Sequence, residues 1–97
     1  MIDKDGKVEA TFYGHLRKIF QEGTKQVDLS TAPDIRTLLN ILCNSPEGRE
    51  RIFDENGNVR KDITILRNGR NILFLNGLDT QLNAGDSVAI FPPTTGG

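Results

Sequence analysis

Hydrophobic and polar residues alternate strictly near the start of the chain. Across residues 7–13, Val8, Ala10 and Phe12 fall on one side while Glu9, Thr11 and Tyr13 fall on the other, the period-two pattern of a half-buried strand. Gly14 ends it. Leu16, Ile19 and Phe20 return at helical spacing, but Gly23 follows too soon for more than a short turn. Residues 25–29 alternate again with Val27 and Leu29 inward, and are expected to pair with the first strand as a hairpin. The segment Thr31-Ala32-Pro33-Asp34 then opens a helix, with Thr31 or Ala32 as its cap. Pro33 suits the first turn, where its missing N–H costs nothing, and Asp34 sits near the positive end of the helix dipole. Ile35, Leu38, Leu39 and Leu42 recur at i, i+3, i+4 and i+7, one stripe facing a core.

Asn44-Ser45-Pro46 stops that helix. Residues 47–53 are charged, with Ile52 and Phe53 as anchors for a short second helix, and 54–58 form a loop. Residues 63–66 read as a strand, Asn68-Gly69 as a tight hairpin turn, 72–75 as a short strand and 76–84 as a turn or single-turn helix. Gly85-Asp86 turns the chain into a final strand over 87–91. The two opening strands pair, the helix crosses over, and the last strand is expected beside the first, where the most apolar surface is buried. That is an α+β chain of β-grasp type, a mixed sheet with helix packed on one face. Residues 1–91 are expected to form a single domain, followed by a tail over 92–97.

Composition agrees with one small packed domain. The 97 residues leave no room for two domains. Leu, Ile, Val and Phe number 28, above the fraction typical of disorder. Twelve basic against thirteen acidic residues give a net charge of −1, which argues against coating nucleic acid or a membrane surface, since both need a basic excess. No strictly apolar run exceeds four residues, as at 72–75, too short to span a bilayer, and the first residues have no signal-type apolar stretch. A cytoplasmic protein is expected. One cysteine and one histidine exclude an internal disulfide and a cysteine-only metal cage, and leave little basis for any metal site.

The candidate chemistry lies at the end of the sequence, Phe91-Pro92-Pro93-Thr94-Thr95-Gly96-Gly97. Glycine loses more backbone entropy on ordering than any other residue, so a fold gains nothing from a double glycine there. The bland alternative is a frayed terminus. Against it, Pro92-Pro93 forces an extended exit from the strand, and six residues reach roughly 20 Å at about 3.3 Å each. A tip without side chains suits a carboxylate that must enter a narrow active site. The Gly97 carboxylate would then be the reacting group: its oxygen attacks the α-phosphate of ATP, and a second nucleophile displaces AMP from the acyl-adenylate.

The segment from Leu82-Asn83-Ala84-Gly85-Asp86-Ser87-Val88-Ala89 through Pro92-Pro93 to Gly96-Gly97 resembles the MoaD family, the small subunit of molybdopterin synthase and a ubiquitin-like sulfur carrier of the MoaD/ThiS superfamily. Leu16-Arg17 resembles that family's Leu-Arg pair, and Asn68-Gly69-Arg70 its hairpin. The stretch 46–62 is longer than in the shortest members and resembles archaeal-type MoaD-like proteins and small modifiers. The resemblance implies that an adenylyltransferase related to ubiquitin-activating enzymes (MoeB-like) uses ATP to adenylate Gly97. A persulfide donor would then make the thiocarboxylate. A larger catalytic subunit (MoaE-like) would take in Thr94, Thr95, Gly96 and Gly97 and pass the sulfur to cyclic pyranopterin monophosphate. The chain itself would bind no cofactor and supply no acid or base.

Parity along the last strands adds a candidate partner surface. If Val88 and Ile90 face the helix, Ala89 and Phe91 face away. If Ile63 and Ile65 point inward, Leu66 points outward. Leu66, Phe91, Pro92 and Pro93 would form an apolar patch at the root of the tail, unless a loop covers them. His15, without a nucleophile near it in sequence, reads as an exposed loop residue. Cys43 reads as a packed thiol at the helix end. Asp54, Glu55 and Asp62 read as solvated charges. Four functions remain open: the molybdopterin carrier; a modifier joined to target lysines through Gly97; a carrier for thiamin, cysteine or tRNA thiolation; and a plain interaction module whose glycines do nothing.

Overall fold

In the computed structural model, which describes residues 6–20 and 23–93, the alternation of 7–12 becomes strand β1 (Lys7–Phe12), and the apolar set Val8, Ala10 and Phe12 is fully buried. Helix α1 (Leu16–Phe20) is one short turn, and β2 (Thr24–Asp28) folds back antiparallel on β1 with Val8 opposite Val27. Helix α2 (Ile35–Leu42) presents Ile35, Leu38, Leu39 and Leu42, all buried, to the sheet. Helix α3 (Pro46–Ile52) follows, with Ser45 Oγ accepting from Gly48 N–H at 3.0 Å as its cap. Strands β3 (Thr64–Arg67), β4 (Arg70–Asn71) and β5 (Ser87–Phe91) complete a sheet ordered β2-β1-β5-β3-β4. The last strand lies parallel to the first, Ala10 opposite Val88 and Phe12 opposite Ile90, and antiparallel to β3. This is the mixed β-grasp sheet that the pattern predicts. One face meets the helices through Val8, Ala10, Phe12, Ile65, Val88 and Ile90.

Two local expectations fail for identifiable reasons. The cap of α2 is Asp34, not Thr31 or Ala32: its Oδ1 accepts from Thr37 N–H at 2.8 Å. Ala32 carries no acceptor and is buried in the core. Pro33 is held outside the helix, because its carbonyl accepts from Leu82 N–H and Ile35 N–H reaches Thr80 O. Residues 72–75 form no strand. Asn71 Oδ1 accepts from Leu73 N–H, and Leu75 N–H closes on Ile72 O, giving a 3-10 turn over Ile72–Phe74. Ile72 enters the core, while Leu73 and Phe74 stand 79% and 82% exposed. A second 3-10 turn, Gly77–Asp79, meets the expectation for 76–84.

The entry to β5 is locked by one carboxylate. Asp86, only 7% exposed, accepts from Arg67 Nε at 2.9 Å, Asn68 Nδ2 at 2.9 Å and Asn83 N–H at 2.7 Å. Asn68 and Gly69 turn the β3–β4 hairpin with φ of 51° and 84°, as a turn with both central residues left-handed requires. The Asn68 side chain also accepts from Ser87 N–H at 2.9 Å. The knot therefore fixes the hairpin against the start of β5. Burial alone would push the Asp86 carboxyl up, but the bonds from Asn68, Asn83 and Arg67 outweigh it and hold the group below its ordinary 3.8.

A carboxyl lowered by folding stabilises fully above its unfolded value of 3.8, and that contribution is lost as pH falls through the lower folded value. Asp86→Asn, which leaves the donors of Arg67 and Asn83 poorly matched, should cost about 1–3 kcal/mol at pH 7. In urea unfolding the gap between wild type and variant should narrow once pH falls well below 3.8. An equal gap at both pH values would show that the charge is not what holds the knot.

Candidate functional site

Because β1 and β5 run parallel, their C-terminal ends emerge together. The turn after β1 therefore borders the residues after β5. Tyr13 N–H donates to Ile90 O at 3.0 Å. The Tyr13 ring stacks on Phe91 with centroids 4.5 Å apart and planes 9° from parallel. Gly14 comes next with φ of 61°, and a Cβ there would lie 2.7 Å from Pro92 Cγ and 3.3 Å from Pro92 Cδ. Both the left-handed backbone and the closeness of the proline ring require glycine. Pro92 and Pro93 are half-buried. Thr94, Thr95, Gly96 and Gly97 lie outside the described residues.

Phe91 sits opposite Thr64 and Leu66 opposite Ala89, so Leu66 and Phe91 are diagonal neighbours on the face away from the helices. Both are half-buried, and Tyr13, 41% exposed, extends the apolar strip. Beside the tail root lies an open groove of about 1190 Å³, lined mostly by the stretch 46–62, including Glu50, Arg51, Arg60 and Asp62, together with His15 and Pro93.

Residues 10–97 match the sequence profile of the ThiS family. The chain belongs to the ThiS family. It is thereby a ubiquitin-like member of the MoaD/ThiS superfamily of sulfur carriers, a kinship consistent with its β-grasp sheet. It is 31% identical over 96 residues to small archaeal modifier protein 3 of Haloferax volcanii, covering 94% of this chain and 99% of that relative. The crystal structure of small archaeal modifier protein 1 from the same organism superposes with a TM-score of 0.79 at 29% identity, covering 95% of this chain and 100% of the other. The solution structure of its counterpart from Methanosarcina acetivorans gives a TM-score of 0.77 at 27% identity, covering 95% and 97%.

The remaining singled-out residues in this ThiS-family chain have ordinary surroundings. His15 is exposed. Asp54 Oδ1 accepts from Asn56 and Asn58 N–H within its own loop, and Asp62 pairs with Arg60 at 3.4 Å, while Glu55 is exposed. Among the described residues no three His, Cys, Asp or Glu are gathered as metal ligands, and no helix is long and apolar enough to cross a membrane. Tyr13 and Gly14 are site residues that the sequence pattern does not single out. The available signal was that Tyr13 shares the outward parity of Phe91.

Cys43 is buried under α2, and burial pushes its thiol up to about 11 against the pull of Arg49. The thiolate is the reactive form. At pH 8 an alkylating reagent should leave Cys43 unmodified in the folded protein and modify it fully in denaturant. Rapid modification of the native protein would contradict the burial.

Proposed function

We propose that this chain carries sulfur as a thiocarboxylate on Gly97. A ubiquitin-activating-like adenylyltransferase joins the Gly97 carboxylate to the α-phosphate of ATP, and pyrophosphate leaves. The terminal sulfur of a persulfide donor then displaces AMP, and a thiol reductant releases the thiocarboxylate. The acceptor we favour is the pterin precursor of the molybdenum cofactor, reached through a molybdopterin-synthase-type large subunit, with this chain as its non-catalytic partner. ATP is consumed by the activating enzyme and is not held by the carrier.

The observation that carries this reading is the ThiS-family match over residues 10–97, which includes Pro92-Pro93-Thr94-Thr95-Gly96-Gly97. The geometry supports it: Phe91 and Pro92 leave the centre of a rigid sheet beside an apolar strip, as a segment inserted into a partner's active site needs. The molybdopterin acceptor rests on the MoaD-like ending alone. A second reading, a modifier conjugated to lysines through the same carboxylate, is favoured by the likeness to proteins named small archaeal modifiers. Both share the acyl-adenylate and diverge only in the nucleophile that follows.

Incubation with the activating enzyme, ATP and a persulfide donor should replace one oxygen by one sulfur, mapped to Gly97 by tandem mass spectrometry. Addition of the large subunit and pterin precursor should reverse it. Deleting Gly97 should abolish ATP–pyrophosphate exchange while shifting stability by less than about 0.5 kcal/mol. Denaturation-resistant lysine conjugates as the main cellular product would replace the carrier reading with the modifier one.

If Leu66 and Phe91 anchor a partner, changing either to Glu should weaken binding of the activating enzyme or the large subunit. A loss of more than about 1 kcal/mol, roughly fivefold in Kd, is expected of such anchors. Wild-type titration curves for both variants against both partners would remove the patch from the interface.

A further inference from the structure

We infer that the turn between β1 and α1 is a positioning element for the tail, in which Tyr13 and Gly14 set the direction along which Pro92 leaves the sheet. The inference rests on the proposed use of Gly97 as the reacting carboxylate, and it assigns positioning residues that lie far from that carboxylate in sequence.

Two consecutive residues hold three consecutive residues of the tail root. Tyr13 N–H fixes the Ile90 carbonyl at 3.0 Å, the Tyr13 ring lies flat on Phe91 at 4.5 Å, and the bare Cα of Gly14 admits the Pro92 ring. The ring atoms that a Cβ would strike are covalently constrained, so they cannot swing aside as the far end of a flexible side chain would. Pro92 and Pro93 then pass on whatever direction the root is given, since proline fixes φ. Pro92 and Pro93 span roughly 7 Å at ~3.3 Å each, so a tilt of about 10° at the root displaces the end of Pro93 by about 1 Å. Misplacement by about 1 Å can cost on the order of 100-fold in a reaction that depends on alignment. Gly14 has no side chain to lend to the proposed docking face around Leu66 and Phe91, so replacing it leaves those anchors in place. The direction of the tail should therefore govern turnover more than affinity.

The structure also supplies its own control for backbone strain. Gly77 has φ of 57°, close to the 61° of Gly14, yet a Cβ there would meet nothing within 4 Å. Gly77→Ala carries the strain of a left-handed alanine without touching the tail.

The test compares wild type, Gly14→Ala and Gly77→Ala in ATP–pyrophosphate exchange with the activating enzyme, as a function of carrier concentration. Gly14→Ala should lower kcat at least tenfold with KM within twofold, and Gly77→Ala should leave both within twofold although its thermal midpoint also falls. Tail direction is read independently by a nitroxide on Thr95→Cys, which labels selectively because Cys43 is buried. The pattern of amide relaxation enhancement over the domain should change in Gly14→Ala and stay the same in Gly77→Ala. If Gly14→Ala does not fold, Tyr13→Ser, which removes the stack at a partly exposed position, should change the pattern instead. Wild-type kcat together with an unchanged relaxation pattern in the Gly14 variant would overturn the inference. An equal loss of kcat in both glycine variants would also overturn it. Absence of exchange in wild type would count against the carrier reading alone, and the relaxation pattern would still decide the positioning role.

Discussion

The parallel pairing of β1 with β5 is the constraint from which the rest of the molecule follows. It brings the two ends of the described chain together in the middle of the sheet, with Ala10 beside Val88 and Phe12 beside Ile90. These residues and Ile65 make the floor on which α2 packs its four-residue stripe. Parallel strands also finish at the same edge of a sheet. The exit of β5 must therefore share space with the turn after β1, so the contact of Tyr13 with Phe91 and of Gly14 with Pro92 is a consequence of topology. Long-range pairing of this kind closes a loop of most of the chain, and it needs a firm register. The Asp86 knot provides one by tying the hairpin turn to the first residue of β5.

Most of the fold was legible because its core positions obey simple periods. The period-two sets of β1 and β5 and the Ile35, Leu38, Leu39 and Leu42 stripe are all buried, and Asn68-Gly69 makes the turn its side chains dictate. The failures occurred where a side chain's bond to the backbone outweighed hydrophobicity. Residues 72–75 are an unbroken apolar run, yet Asn71 caps a 3-10 turn and throws Leu73 and Phe74 into solvent. At the start of α2, Thr31-Ala32-Pro33 looked like an N-terminus, but pairing of 33–35 with 80–82 delays the helix until Asp34 can cap it. That pairing is between segments far apart in sequence, and no local pattern announces it.

The candidate site divides in the same way. Outward parity of Leu66 and Phe91 could be read from the strands, and the register makes them diagonal neighbours on one face. The role of Gly14 could not, because a glycine after a strand is most simply a terminator. Its significance comes from a proline ring at the other end of the chain, which a Cβ at this position would meet at 2.7 Å. Tyr13 was intermediate: its face was legible, its partner was not. The charged stretch 46–62 was legible as a helix and loop, while the groove it forms beside Pro93 depends on how that loop folds back.

These placements bear on how a single chain chemistry can serve different ends. His15 is exposed, and Cys43 is buried with its thiol held in the protonated form. A main-chain carboxylate at the end of the tail would react in the same way whether sulfur or a lysine amine followed. Discrimination between those outcomes must then come from which partner docks and how the tail is presented to it. Under the proposed function, the open face around Leu66 and Phe91 would bear on the first and the β1–α1 turn on the second. The groove lined by 46–62 opens beside both, with Pro93 in its lining. Under the proposed function, a partner reading that groove would be selecting on shape next to Pro93, the last described residue of the tail root.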